Sequence, residues 1–567
     1  MKKHNILKVA LWIVPIIILL LAIIFPNAGW AYLVNLLLSF AELGIIVYNF
    51  KDKHNANKVV LATMLCFVLL TWLIPAAYFS GEYIEQGRIQ MGLFDFVNYP
   101  VTAVSYFGYI AFYVLCIGAF YGVLNKIPAY RSFLDRIVKA VKGTEKFVLF
   151  VIMLLIATLT SLGGMQFALF CFFPMLVSII LLMGFDKIVA ALTLVGSTII
   201  GIAGTTYGYG NVSIIGTALG VKITSEMLTK VVILVLGLVL LFVNTLLYIK
   251  KQEKSGKEVT KEIKKKEIKV EKTTTKAKTT KSSSRKNTKA AQKDEEVVIV
   301  KEQPKETDGK TDFIPASVNS GKHSIWPFVV SFALLFVVVV LAFIPWVDGF
   351  GVEAFDEATN AVMEFELFGF PIFSSLFGTF NAFGYWTIID LILLLLVIGA
   401  LLVIIYKVKS QDVLDGILEG IKKALPLGIL IILIYTCLVV TTYHPFQLEV
   451  YKAILSVVGK FNFGSSLVIA LVSVIAAIFN AEPAYAFQSF LPYLATIVTD
   501  SASYSVIAVI SQAMYGFAML FAPTSLILMV VLSYLDIPYS KWLKTIWKLL
   551  LEFLVILLVV FAIIIIL

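Results

Sequence analysis

Two stretches, TLTSLGGMQFALFCFFPMLV (158–177) and AAIFNAEPAYAFQSFLPYLA (476–495), decide how this chain is read. Each is apolar, and each is interrupted by Gly or Pro. Each is soon followed by a second interrupted apolar stretch, IIGIAGTTYGYGNVSIIG (199–216) and YGFAMLFAPTSLILMV (515–530). In hydrocarbon an unpaired backbone N–H or C=O costs several kcal/mol, so helix breaks survive only where protein buries them or where they line a cavity. Interrupted segments at corresponding positions of two halves point to a transporter's binding site near the bilayer midplane.

The composition agrees with a membrane setting. Of 567 residues, 60% are hydrophobic and 14% charged, where a soluble domain carries about 25% charged residues. Apolar runs at 6–25, 31–49, 59–78, 229–249, 327–345, 384–406 and 547–567 have the length needed to cross a bilayer. Continuous Leu/Ile/Val runs exclude a β-barrel, whose strands alternate. The net charge of +10 belongs mostly to residues 250–312, which hold 20 Lys and Arg against 12 Asp and Glu. That segment reads as a solvated cytoplasmic linker, with weak contact to anionic lipid headgroups as the sharper alternative, and not as a nucleic-acid surface. Cys66, Cys116, Cys171 and Cys437 are scattered singly and read as small core residues; neither they nor the four histidines suggest a metal site or disulfide. No nucleotide loop and no Ser/His/Asp set is visible, so a carrier is expected and not an enzyme, and ATP-driven transport is excluded. The first apolar run lacks a small-residue cleavage site and reads as an uncleaved helix.

The predicted organisation is two N-terminal helices in 1–57, a first transporter repeat over 58–249, a disordered basic linker over 250–322, and a second, inverted repeat over 323–567. Basic short loops at 51–58, 125–146, 407–409 and 541–544 place the N-terminus and linker in the cytoplasm; segments 80–104 and 346–383 are mainly acidic and belong outside. About eleven membrane segments plus two re-entrant hairpins satisfy these constraints. Full helices are expected near 105–125 and 425–443. The hairpins are expected near 147–183, from the cytoplasm, and 463–499, from outside. Broken helices are expected near 187–222 and 503–535. Pro174 falls opposite Pro492, and Gly164 opposite Glu482.

The candidate binding residues follow from the breaks. At the first hairpin tip they are Ser161, Gly163, Gly164 and Gln166, with Thr160 beside them. Glycines allow a tight reversal there, and freed N–H groups attract an anion, while hydroxyls and unwound carbonyls suit Na⁺. A close helix contact through small residues is the structural alternative. The first broken helix offers Thr205, Thr206 and Asn211; the second offers Pro523, Thr524 and Ser525. At the second tip, Asn480 and Glu482 stand out. A carboxylate at membrane depth costs on the order of 3 kcal/mol if left charged, so Glu482 reads as a proton site, a counter-charge for a substrate amine, or a side chain solvated in a vestibule. No organic cofactor is expected; Na⁺ or H⁺ is the expected coupling ion. A channel or a non-transporting scaffold is the reading from a different class.

LTWLIPAAYFSG (70–81), the stretch 92–130, TSLGGMQFALFCFFPMLVSIILLMGFDKIVAAL (160–192) and APTSLILMVVLSYLDIPYSKWLK (522–544) together resemble YfcC-type carriers. These belong with the anaerobic four-carbon-dicarboxylate carriers of the DcuC type in the ion transporter superfamily. The resemblance implies a cation-coupled secondary transporter with elevator-like alternating access, in a bacterial plasma membrane and as a homodimer. Its substrates would be organic anions, or basic amino acids such as arginine and ornithine. The chain departs from the pattern in three places. Gln166 and Phe167 stand where acidic residues are usual, TTYGYGN (205–211) lacks the Asn-Pro, and Asn480-Ala481-Glu482-Pro483 replaces a Ser/Gly-rich tip.

Overall fold

The computed structural model describes residues 56–222, 224–278, 313–315 and 324–566. The helices expected at 6–25 and 31–50, and most of the 1–57 unit, lie outside these residues. The first half runs α1 (Ala56–Leu73), a ribbon of β1 (Ala76–Phe79) and β2 (Tyr83–Gly87), α2 (Leu93–Leu124), and the short α3 (Pro128–Ala140). A hairpin follows, α4 (Glu145–Gly163) returning through a tight turn into α5 (Phe173–Leu182). Then come a broken helix, α6 (Lys187–Ala203) and α7 (Tyr209–Leu219), and α8 (Met227–Lys278). The second half runs α9 (Trp326–Phe343), α10 (Ile388–Ile405), α11 (Ser410–Tyr443) and α12 (Gln447–Leu455). Its hairpin is α13 (Phe463–Phe479) with α14 (Pro483–Gln488) and α15 (Leu491–Ile497). Its broken helix is α16 (Tyr504–Met519) with α17 (Leu526–Tyr534), and α18 (Tyr539–Ile566) closes the chain. Among the described residues, nine helices are long and apolar enough to cross a membrane.

The order from α2 to α8 repeats from α11 to α18. The lead helices have 32 and 34 residues, and each carries one interior proline, Pro100 or Pro426. The returning hairpin arms α5 and α15 both begin at a proline-containing first turn, at Pro174 and Pro492, where the missing N–H costs nothing.

The hairpins enter from opposite ends of the molecule. The first has its base beside α8: Lys146 Nζ lies 3.2 Å from Glu253 Oε1, and Tyr248 donates to Asp186 Oδ2 at 2.8 Å. The second has its base beside the β1–β2 ribbon, where Tyr493 meets Phe79 and Tyr83 at 6.2 and 6.1 Å between ring centroids. The ribbon precedes α2 and the α3 helix follows it, and a 32-residue helix is about 48 Å long at 1.5 Å per residue. Arg131 on α3 donates to the carbonyl of Pro315, and Ser178 on α5 donates to the carbonyl of Phe313 at 2.7 Å. Lys187 lies over the Phe313 ring, and Tyr534 meets that ring edge-on. The end of the linker is therefore fastened between α3 and the first hairpin.

The halves meet most closely where α2 crosses α11. Gly118 and Gly122 face Gly416 and Gly420: a Cβ on Gly122 would lie 2.0 Å from Gly416 O, and one on Gly420 2.0 Å from Gly118 O. This is the small-xxx-small crossing that lets helix backbones touch in lipid.

Three expectations shift. The helix expected at 105–125 begins at Leu93, and the one expected at 425–443 begins at Ser410. The charges in 410–423 occupy an exposed face while Gly416 and Gly420 stay buried, so polarity there marks a helix face and not a loop. In the segment read as disordered over 250–322, α8 continues to Lys278. Lys and Glu are good helix formers, and a helix already nucleated by the spanning segment extends without a new nucleus. Residues 279–312 lie outside the described residues.

Candidate functional site

The first hairpin tip and the first helix break are stitched together. α4 ends at Gly163, and its cap Gly164 sits in the left-handed region at φ +62 with its N–H on Thr160 O. That conformation favours glycine. Ser161 Oγ donates to Gly204 O at 2.7 Å and lies 3.1 Å from Thr206 Oγ1. The amides of Thr206 and Gly208 both donate to Ser161 O at 3.0 Å. Thr205 turns its hydroxyl back onto Ile202 O at 2.7 Å. A π turn at Leu192–Gly196 precedes the break; such turns often lie near functional sites.

The second half is built alike with different chemistry. Thr524 Oγ1 donates to Ile478 O at 2.8 Å and Ala477 O at 3.2 Å, joining the break between α16 and α17 to the end of α13. Pro523 cannot donate, and carbonyls near it are freed. Two of them are taken by the last helix: Trp542 Nε1 donates to Leu520 O at 2.9 Å, and Tyr539 donates to Phe521 O. Asn480 is 1% exposed; its Oδ1 accepts from Thr441 and its Nδ2 donates to Ala476 O.

Both tips and both breaks border one small central cavity of about 20 Å³. Its lining includes Gln166, Ile202, Glu482, Tyr515, Met519 and Ser525. That volume admits a single water and falls far below the roughly 300 Å³ of a small-ligand pocket, so the protein is closed around the site. Two side-chain atoms of this lining, Gln166 Oε1 and Ser525 Oγ, are buried with no hydrogen-bond partner. Buried polar atoms are satisfied in the great majority of cases, and here two that have no partner among the described residues border one cavity. Tyr435 donates to Glu482 Oε1, while its ring stacks on Phe107 at 4.1 Å. Tyr515 donates to Ala481 O at 3.1 Å. No basic side chain is in the described lining, but Leu526 and Ile527 open α17 behind its cap Ser525, whose own amide is on Ala522 O, and the first turn of a helix is partially positive.

The residues singled out from the sequence therefore divide. Gln166, Glu482 and Ser525 line the cavity. Ser161, Gly163, Gly164, Thr205, Thr206, Pro523, Thr524 and Asn480 build the tips and breaks around it, with the polar side chains among them already hydrogen-bonded. Asn211 lies in the first turn of α7, and its side chain is not among those described. Tyr435, Gln512 and Tyr515 escaped the sequence reading. Their one signal is a polar group amid apolar helix, which a buried Tyr or Gln carries only where a partner waits.

The family model of the C4-dicarboxylate anaerobic carrier, DcuC, matches residues 55–300 and 308–567. Among solved structures, the chain is similar to the YdaH transporter of Alcanivorax borkumensis, whose crystal structure is described as revealing an unusual topology. The two are 13% identical, with 89% of this chain and 98% of that chain covered and a TM-score of 0.38. No curated protein matches the chain.

Proposed function

The chain belongs to the C4-dicarboxylate anaerobic carrier family, and from that premise we propose a cation-coupled carrier that moves a small organic acid across the plasma membrane by alternating access. The observation that carries the reading is the closed cavity where two hairpin tips and two helix breaks converge, with Gln166 Oε1 and Ser525 Oγ left without partners. A substrate carboxylate would be held by the amides of the α17 N-terminal turn and by Ser525, in the way helix N-termini hold anions. The cavity is too small for any such acid, so transport requires the tips and breaks to part first towards one face and then the other. The tightly crossed α2–α11 pair would serve as the static frame against which the hairpins and broken helices move, in an elevator-like cycle.

Glu482 supplies the coupling. A carboxylate at membrane depth needs a proton, a cation or donors to offset its burial, and among the described residues Tyr435 donates to it. Protonation on the loaded carrier and release on the far side would tie substrate movement to the proton gradient. Na⁺ held by carbonyls at the tips is the other coupling this site allows.

A second reading is favoured by one observation: the described lining of the cavity holds a carboxylate and no basic side chain. Glu482 would then pair with the amine of a basic amino acid such as arginine or ornithine, and the carrier would be an amino acid exchanger.

Proteoliposome uptake of labelled succinate, fumarate, arginine and ornithine, with and without Na⁺ and a pH gradient, separates these readings. The expected result is C4-acid uptake driven by an inward proton gradient. Glu482→Gln is expected to abolish the pH dependence of uptake. Uptake that ignores every imposed cation gradient would sink the coupling; arginine or ornithine uptake with no C4-acid uptake would favour the exchanger.

A further inference from the structure

Lys230 stands in the first turn of α8, within a membrane-spanning helix, and only 6% of its surface is exposed. A lysine near the end of a spanning helix usually snorkels to the interface; this one is buried instead. Beside it is a cavity of about 20 Å³, as small as the central one and so closed to an acid in this state, lined by Gly216, Val221, Lys222, Ser225, Lys230 and Gln512. Lys222 is exposed at the mouth. Gln512, 2% exposed, forms the inner wall: its Nε2 donates to Ile202 O at 2.7 Å, and its Oε1 is buried with no hydrogen-bond partner. Ile202 also lines the central cavity. The Gln512–Ile202 hydrogen bond thus joins a residue of one lining to a residue of the other.

We propose that Lys230, Lys222 and Gln512 form a second carboxylate-binding site, a way station between the outside face and the central cavity. The proposal rests on the carrier reading above. The central lining lacks a basic side chain, so a substrate carboxylate meets its full positive charge here and not at the hairpin tips. Charge bias places the 220–226 loop on the outside, where the neighbouring loops 80–104 and 346–383 are mainly acidic. Two lysines in a cleft would focus a local attraction that the rest of that face lacks. Glu226, one turn before Lys230 and in the left-handed region at φ +53, accepts from Thr229 Oγ1 and supplies the resting counter-charge. Two cations against one carboxylate leave the cleft net positive. The free acceptor on Gln512 suits a ligand hydroxyl, a protonated carboxyl, or a water carried in with the acid. When Gln512 releases Ile202 O, the two linings part at the helix break itself.

The test is succinate uptake by proteoliposomes containing the full chain, comparing wild type with Lys230→Gln and Lys230→Arg. Melting temperature in detergent checks folding. Losing one charged contact should raise KM for succinate about tenfold with the maximal rate nearly unchanged, and Lys230→Arg should stay within about threefold of wild type because it keeps the charge. A folded Lys230→Gln carrier with wild-type KM overturns the site. Equal losses in Gln and Arg variants assign Lys230 to packing and overturn it too. A wild type that carries an amino acid and no C4 acid overturns the dicarboxylate reading alone; the change in KM for that amino acid, which also bears a carboxylate, between wild type and Lys230→Gln then decides on Lys230. A wild type that carries neither overturns both.

Discussion

Ser525 is polar, 1% exposed, and its hydroxyl has no partner among the described residues. An orphaned buried polar atom costs about 1–3 kcal/mol. Removing it should therefore help folding and harm function, the signature of a binding residue. Ser525→Ala is expected to keep or raise the melting temperature while raising KM for the substrate; a lower melting temperature with unchanged KM would assign the hydroxyl to structure. Thr524 next to it is the contrast, since its hydroxyl already bonds Ile478 O. At this scale a polar group that interrupts an apolar run at a tip or a break, as with Gln166, Glu482 and Ser525, led to residues that line the cavity. The sequence was silent on pairing. Tyr435 and Glu482 are 47 residues apart and Gln512 and Ile202 are 310 apart, and nothing local encodes such meetings. Nor could it tell Thr205, whose hydroxyl folds back on its own helix, from a hydroxyl facing the cavity.

Among elements, the α2–α11 crossing sets how far apart the halves can sit. Gly420→Ala would put a methyl carbon 2.0 Å from Gly118 O. The backbones would have to separate, and overpacking of this kind costs about 1–3 kcal/mol or more. The expected result is a clear drop in melting temperature and in maximal uptake rate. Gly459→Ala, which meets nothing within 4 Å, is the control and should leave both unchanged. The hairpins and broken helices were readable because Gly and Pro clustered inside a long apolar run interrupt the helix that the run would otherwise form. The crossing was not, although Gly118, Gly122, Gly416 and Gly420 show the four-residue spacing plainly. Small residues at that spacing occur on many membrane helices, and only the partner helix tells which pair is used. The N-terminal extension of α11 was missed for a different reason: charges on one face of a helix resemble a loop when the buried face is made of glycines.

For the whole molecule, the two-half plan and the opposed hairpins followed from charge bias and from the repeated breaks, and the structure places the hairpin bases at opposite ends. The halves meet at the α2–α11 crossing and around the cavity. A deletion inside 279–312 that spares Phe313 should therefore leave uptake near wild type; complete loss would make the segment part of the transport machinery. The tether is nonetheless fastened at its far end. Phe313 is bonded to Ser178 of the first hairpin, and Pro315, two residues on, to Arg131 of α3. If the hairpin travels while α3 stays, these two grips cannot both hold, so one lets go in each cycle. Transport would then be written onto the linker as a periodic pull, and a segment outside the substrate's path would keep count of turnovers.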